Sequence, residues 1–208
     1  CIDEIICVVP KEDLQATKTL ITDYALPKLL HVIEGGASRQ DSVAAAMMLL
    51  KKKGHEGKKG NEEDIVLVHD GVRPLVTSEL IKKVVEGVLT FGAVAAARPV
   101  TDSLKEVTDG AVIQKSLARE RIWAMQTPQG FYLSVLAEAC EQGKADHFFA
   151  TDEAMLVERL GIPILCIEGP SENIKITTAS DLMMAEFLLK NLDQSENTES
   201  PEHLSTSK

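Results

Sequence analysis

The sequence predicts an α/β fold: a mainly parallel sheet with helices on both faces and a projecting β-hairpin arm. Three observations predict it. Short apolar runs such as Ile65-Val66-Leu67-Val68 read as buried strands of a parallel sheet. These runs alternate along the chain with segments of helical composition, the signature of βαβ units. The alternation breaks once, over residues 99–117, where two extended pieces flank Thr108-Asp109-Gly110.

The elements follow in order. Ile5-Ile6-Cys7-Val8-Val9-Pro10 is the first strand, and a helix runs to about Thr22. Leu29 to Glu34 is the second strand, closed by Gly35-Gly36. Ser38 caps the next helix, whose Ala44 to Leu50 stretch is rich in strong helix formers. Lys51-Lys52-Lys53 suits the negative end of that helix dipole. A polar loop, 54–64, leads to the 65–69 strand, a helix over 78–90 and a strand over 93–97. After the hairpin and Trp123, Gln126-Thr127-Pro128-Gln129 reads as a loop stiffened by Pro128, with Trp123 in the core. Helices are predicted at 131–142 and 152–160, the second ending before Gly161. A strand over 163–167 and a short strand over 172–177 precede the last helix, which starts at Ser180 or Asp181. One domain spans 1–190, and the Ser-, Glu- and Asn-rich tail 191–208 is expected to be disordered.

Bulk properties narrow the function. The 208 residues, 44% hydrophobic and 26% charged, describe an ordinary globular chain. A net charge of -10 argues against nucleic-acid binding through an overall basic surface, and no apolar stretch is long enough for a membrane span. The four cysteines form no CxxC pair, and Cys7 and Cys166 lie in apolar runs. They read as buried, reduced thiols in a cytoplasmic protein. The chain opens on an apolar strand without an initiator Met, so an N-terminal piece is expected to be missing.

The chemistry concentrates at strand ends. His69-Asp70-Gly71-Val72-Arg73-Pro74 follows a buried strand, and ligands of open α/β sheets bind at such carboxyl ends. There Asp70 can hold a divalent metal and Arg73 can grip a phosphate in its fork of donors. Against this stands a plain turn built by Asp70 and Pro74. Gly35 to Ser42 joins a strand to a helix N-terminus, where the backbone can approach a ligand and free N–H groups face it. Ser42 can bond a base or ribose there; the plainer alternative is a capped turn with Arg39 on the surface. Thr151-Asp152-Glu153 reads as a helix cap with dipole-matched acids. Over 172–177, alternation sets Glu172, Ile174 and Ile176 on one face and Asn173 and Lys175 on the other. Lys175 can reach inward as a point charge for phosphate, and Glu172 can approach a metal through local irregularity.

Six segments in order resemble the 2-C-methyl-D-erythritol 4-phosphate cytidylyltransferase family: GGASRQDSV at 35–43, VHDGVRP at 68–74, PVTDSLKEV at 99–107, RERIWAMQTPQGF at 119–131, TDEA at 151–154 and ENIKITT at 172–178. The resemblance extends from the first residues to about residue 190. It implies a Rossmann-like nucleotidyltransferase fold and a homodimer joined through a β-arm, which the 99–117 hairpin matches. The implied reaction joins CTP to methylerythritol phosphate and releases pyrophosphate, with Mg2+. Carried over by motif, Gly36, Ser42 and Gly71 line the cytidine and ribose pocket, and Arg39 and Ser103 join the nucleotide-binding set. Asp70 lies near the metal, with Glu172 as a second metal candidate. Arg73, Thr127 and Lys175 contact phosphates or the polyol phosphate, and Ser103 and Arg119 reach into the neighbour's site.

Two departures stand out. The family's glycine-rich phosphate loop has no counterpart here, so the chain as it stands is expected to lack a working triphosphate site. Glu172 stands where many relatives have Asp, which lengthens the reach to any metal. Two other functions share features with this pattern: a ribitol-5-phosphate cytidylyltransferase and a non-catalytic nucleotide-binding subunit.

Overall fold

A computed structural model describes residues 1–26, 28–53 and 61–198. Two sheets carry the fold. In the first, β1 (Ile5–Val9) pairs in parallel with β2 (Leu29–Glu34), joined by α1 (Leu14–Tyr24). After β2 comes α2 (Arg39–Lys53). The second sheet contains β3 (Ile65–Val68), β4 (Ala93–Pro99), β7 (Trp123–Tyr132) and β8 (Leu165–Glu168), in the order β3-β7-β4-β8. Strands β3, β4 and β8 share one direction, and β7 alone opposes them. The mainly parallel expectation therefore holds, with one antiparallel strand at its centre.

Helices cover both faces of this sheet. On one side α3 (Ser78–Phe91) buries Leu80, Val84 and Val88, a spacing of four that keeps one stripe inward, against Val94 and Ala96. Thr77 caps it by accepting from the Leu80 N–H at 3.2 Å. On the other side α4 (Leu133–Ala145) and α5 (Glu153–Glu158) enclose Phe131, Leu136, Leu156 and Val157, with Met47 of α2 added. The alanine-rich strand β4 is buried because α3 lies close against the sheet, and a glycine of β7 permits that approach. A methyl group on Gly130 would sit 2.8 Å from Leu67, Val84 and Val88. We expect Gly130→Ala to destabilise the fold by about 1–3 kcal/mol through overpacking, read as a lower urea midpoint.

The hairpin is present as expected. Strands β5 (Lys105–Val107) and β6 (Ile113–Ser116) pair antiparallel, and the turn closes through Thr108 and Ala111. Its Val107, Val112 and Ile113 are exposed.

Four expectations are corrected. Residues 126–129 are not a loop but the middle of β7, which runs on to Tyr132, so α4 starts at Leu133 and Trp123 is only half-buried. Cross-strand partners far along the chain supply the order that local alternation does not show. Residues 172–177 form no strand; their backbone bonds loops instead, as where the Ile176 N–H donates to the Val72 carbonyl at 2.8 Å. The last helix, α6 (Ala179–Thr198), enters the segment read as tail; 199–208 lie outside the described residues, as do 54–60 of the polar loop. Finally, all four cysteines are free as expected, but Cys166 is exposed because β8 is an edge strand.

Thr178 and Asp181 start α6 as a reciprocal cap. The Asp181 carboxylate accepts from the N–H and hydroxyl of Thr177 and from the Thr178 N–H. The Thr177 N–H, first among these donors, helps hold the Asp181 carboxyl down to about 2. A group with a depressed folded pKa stabilises above its unfolded value and loses that contribution as pH falls through the folded one. Carbon-detected NMR should therefore show Asp181 titrating at a midpoint of about 2, and the α6 cap weakening between the ordinary value of 3.8 and that point.

Candidate active site

The loops after β2, β3 and β8 converge at one end of the molecule. The turn after β2 is tightly built. The Gly36 N–H donates to Ser42 Oγ at 3.1 Å, and the Ser42 hydroxyl donates to the Ser38 carbonyl at 2.9 Å. Ser38 caps α2 as expected, accepting from the Asp41 N–H at 3.1 Å while Asp41 accepts in return. A Cβ on Gly36 would lie 2.2 Å from that of Asp41, so this glycine serves the cap itself. The Ser42 proton is committed within the turn, leaving a lone pair to offer a ligand.

Arg39, the first residue of α2, does not lie idle on the surface. Its Nε–H donates to Asp70 Oδ1 at 3.0 Å and one terminal N–H donates to Glu153 Oε1 at 2.6 Å. Asp70 is thus the hub of the site. Its other oxygen, Oδ2, faces Lys175 Nζ at 3.1 Å and Arg73 Nε at 3.8 Å. Burial pushes the Asp70 carboxyl up, but Lys175 and Arg39 outweigh it and hold the group below the usual range. Three cations against the two carboxylates Asp70 and Glu153 leave one excess positive charge in an otherwise acidic protein. Such a focus suits an anionic ligand.

The β3 loop is held from beneath. The Asp70 N–H donates to Thr127 Oγ1 at 3.1 Å. His69 brackets the same loop, with Nδ1 2.9 Å from Thr127 Oγ1 and Nε2 3.0 Å from the Arg73 carbonyl. A carbonyl only accepts, so Nε2 carries the hydrogen and the neutral ring accepts from the Thr127 hydroxyl at Nδ1. Burial lowers the His69 pKa, in keeping with a neutral ring. Thr127, taken from sequence as a phosphate contact, therefore already donates to His69 and accepts from Asp70.

Arg73 is likewise divided. It donates to the Asn173 carbonyl at 2.8 Å and the Met125 carbonyl at 3.4 Å, while its buried Nε–H has no hydrogen-bond partner among the described residues. Part of the guanidinium is a strut between loops, and the buried Nε–H faces Asp70 Oδ2 at 3.8 Å. Asn173, fully buried, completes the strut by donating to the Thr127 carbonyl at 2.8 Å. This network delivers Lys175, whose side chain is 44% exposed, to Asp70.

Other expected members stand apart. Gly71 is exposed with open space where a side chain would go. Glu172 is exposed and accepts from the Ser171 hydroxyl at 3.1 Å. Ser103 and Arg119 are exposed in the hairpin region, where Arg119 donates to the Thr101 carbonyl. Among the described residues, no group of three or more metal-ligating side chains assembles. The donor set therefore does not make a protein cage. A single carboxylate fits Mg2+ only where phosphates supply the rest of its oxygens, since Mg2+ binds through one or two carboxylates plus substrate phosphates.

Sequence reasoning missed His69, Asn173 and Glu153 as contributors. Asp152 caps α5 as expected, accepting from the Met155 N–H at 2.9 Å. Glu153, expected only to match the helix dipole beside that cap, instead points inward and is 1% exposed. Only its position next to a cap was visible in the sequence.

Residues 1–191 match the family model described as IspD: 2-C-methyl-D-erythritol 4-phosphate cytidylyltransferase. A protein of that name from Syntrophus aciditrophicus is 41% identical over 190 residues, covering 91% of this chain and 77% of the relative. A crystal structure of 2-C-methyl-D-erythritol 4-phosphate cytidylyltransferase from Thermus thermophilus superposes with a TM-score of 0.72 at 33% identity, covering 90% of this chain and 82% of that one. The 4-diphosphocytidyl-2C-methyl-D-erythritol synthase structure from Anaerococcus prevotii gives a TM-score of 0.77 at 28% identity, covering 90% and 79%.

Proposed function

This chain belongs to the 2-C-methyl-D-erythritol 4-phosphate cytidylyltransferase family, and from that membership we propose that its site transfers a cytidylyl group from CTP to 2-C-methyl-D-erythritol 4-phosphate, releasing pyrophosphate. The observation that carries this reading is the Asp70 hub, where Arg39, Arg73 and Lys175 meet one carboxylate at the ends of three strand loops.

A phosphate oxygen of the polyol phosphate attacks the α-phosphorus of CTP in line. The new P–O bond forms as the bond to the bridging oxygen breaks, and the electron pair leaves with pyrophosphate. A phosphate dianion is already nucleophilic, so no strong base is required. Catalysis rests on positioning and charge neutralisation. Lys175 supplies a point charge to non-bridging oxygens, and Arg73 adds a fixed positive charge behind it. Asp70 holds both cations in place, and His69 and Thr127 fix the Asp70 backbone. Asp70 would hold Mg2+ on the protein side, and the ion would supply charge neutralisation at the triphosphate.

A homodimer through the β5–β6 arm belongs to the same proposal. The exposed Val107, Val112 and Ile113 support it, since an exposed apolar hairpin is stabilised when another chain covers it. Among the described residues no helix is long and apolar enough to cross a membrane. The four free thiols favour the reducing cytoplasm as the working compartment.

The test is pyrophosphate release with CTP and Mg2+, run on this chain and on a form carrying an N-terminal glycine-rich loop. Turnover with methylerythritol phosphate above that with ribitol 5-phosphate is expected in an active form. Preference for ribitol 5-phosphate, or no turnover in either folded form, overturns the reading.

A further inference from the structure

Glu153 is an expensive residue for a small helix. It is the first residue of a six-residue helix that Asp152 already caps. Its side chain is 1% exposed, and Oε2 is buried with no hydrogen-bond partner outside its own residue among the described residues. Burial pushes its carboxyl up further than Arg39 pulls it down. A neutral or apolar side chain of similar size would serve packing as well or better. The carboxylate has one evident use, its 2.6 Å bond to Arg39.

That bond determines how Arg39 can address Asp70. With one terminal nitrogen on Glu153, the guanidinium meets Asp70 through Nε at a single oxygen, Oδ1. Released from Glu153, the same planar fork could turn to grip both Asp70 oxygens, the preferred geometry of an Arg–carboxylate pair. It would then compete with Lys175 and with any cation for Oδ2. It could equally swing onto an incoming phosphate.

We propose that Glu153 is a positioning residue acting through Arg39: it confines Arg39 to Oδ1 and so reserves Oδ2 of Asp70 for Lys175 and the nucleotide-borne cation. This deepens the cytidylyltransferase reading and rests on it for the identity of the ligands. The geometry between Glu153, Arg39 and Asp70 stands independently of that reading.

The experiment is a double-mutant cycle in an active preparation, with Glu153→Gln, Arg39→Ala and the pair, measuring kcat, the Mg2+ concentration for half-maximal rate and the thermal midpoint. Glu153→Gln keeps the shape and removes the charge. It should lower kcat and raise the Mg2+ requirement by about tenfold, while the thermal midpoint stays level or rises. In the Arg39→Ala background the same change should alter kcat by less than about twofold. Additive effects, an unchanged Mg2+ requirement or a markedly lower thermal midpoint overturn the proposal. A second readout needs no turnover: the Arg39 Nε–Hε cross-peak in a 15N spectrum should be sharp and slowly exchanging in the wild type and shifted or broadened in Glu153→Gln. An unchanged cross-peak overturns the positioning role even if CTP is a substrate. A changed cross-peak in a protein that transfers nothing from CTP upholds the positioning role and rejects the cytidylyltransferase reading alone.

Discussion

Asp70→Asn should reduce turnover by about 100- to 1000-fold, the scale of losing a preorganised electrostatic group in a closed site. The substitution keeps shape and removes the negative charge that Arg39, Arg73 and Lys175 share, leaving Arg39 with Glu153 alone. Those three cations then repel one another, and Lys175 loses the partner that holds it 3.1 Å away. Stability should fall as well, by about 1–3 kcal/mol, because a partly buried donor set loses its acceptor. The pH sign gives an independent check. Burial raises the Asp70 carboxyl pKa but Lys175 and Arg39 lower it more, so the folded value lies under the ordinary 3.8. The stabilisation is complete above that ordinary value and disappears as pH falls through the folded one. The gap in urea midpoint between wild type and Asp70→Asn should therefore be wide near neutrality and close in acid below about pH 4. A gap that does not narrow in acid would place the effect elsewhere than in this carboxylate.

Lys175→Ala should separate activity from stability. Its side chain is 44% exposed and its one described ion pair is with Asp70, so removal should change stability by no more than about 1 kcal/mol. Turnover should nevertheless fall by about 100- to 1000-fold, since the proposed reaction uses that charge to neutralise the reacting phosphates. Lys175→Arg should recover only part of the rate, because a planar fork does not replace a compact ammonium. Steady-state kinetics alongside a thermal melt decides the matter. Near-normal turnover with an unchanged melt would remove Lys175 from the phosphate role.

Much of the framework was legible because its signals are local. The branched run at 65–68, the Gly35-Gly36 turn and the Ser38 cap each announce themselves within a few residues, and β3, the turn and α2 appear where expected. Strand β7 was not legible. Gln126, Pro128, Gln129 and Gly130 interrupt any apolar alternation, and the segment is a strand because β3 and β4 flank it in space. The site divides in the same way. Asp70 and Arg73 were readable as polar residues at a strand end and Lys175 as an inward-reaching cation, and they do meet. The inward turn of Glu153 was not, since which side of a six-residue helix faces the core is fixed by the elements around it. The 172–177 segment misled for the opposite reason: its alternation is real, but Asn173 is buried by bonds to Thr127 and Gln126, and not by a sheet.

The reversed direction of β7 also bears on how the molecule acquires its activity. Its N-terminal half brings Thr127 beneath Asp70, a contact spanning 57 positions, and Arg39 must find Glu153 across 114. Loop closures of that length are slow to gain and return nothing until most of the sheet exists. No single β–α unit can hold the complete hub, because Arg39, Thr127 and Lys175 reach Asp70 from three separate parts of the chain. Ligand binding is therefore tied to the last cooperative step of folding. Any anion that favours the completed hub will draw the whole folding equilibrium toward the native state by mass action, and nucleotide protection against proteolysis should report global and not local order.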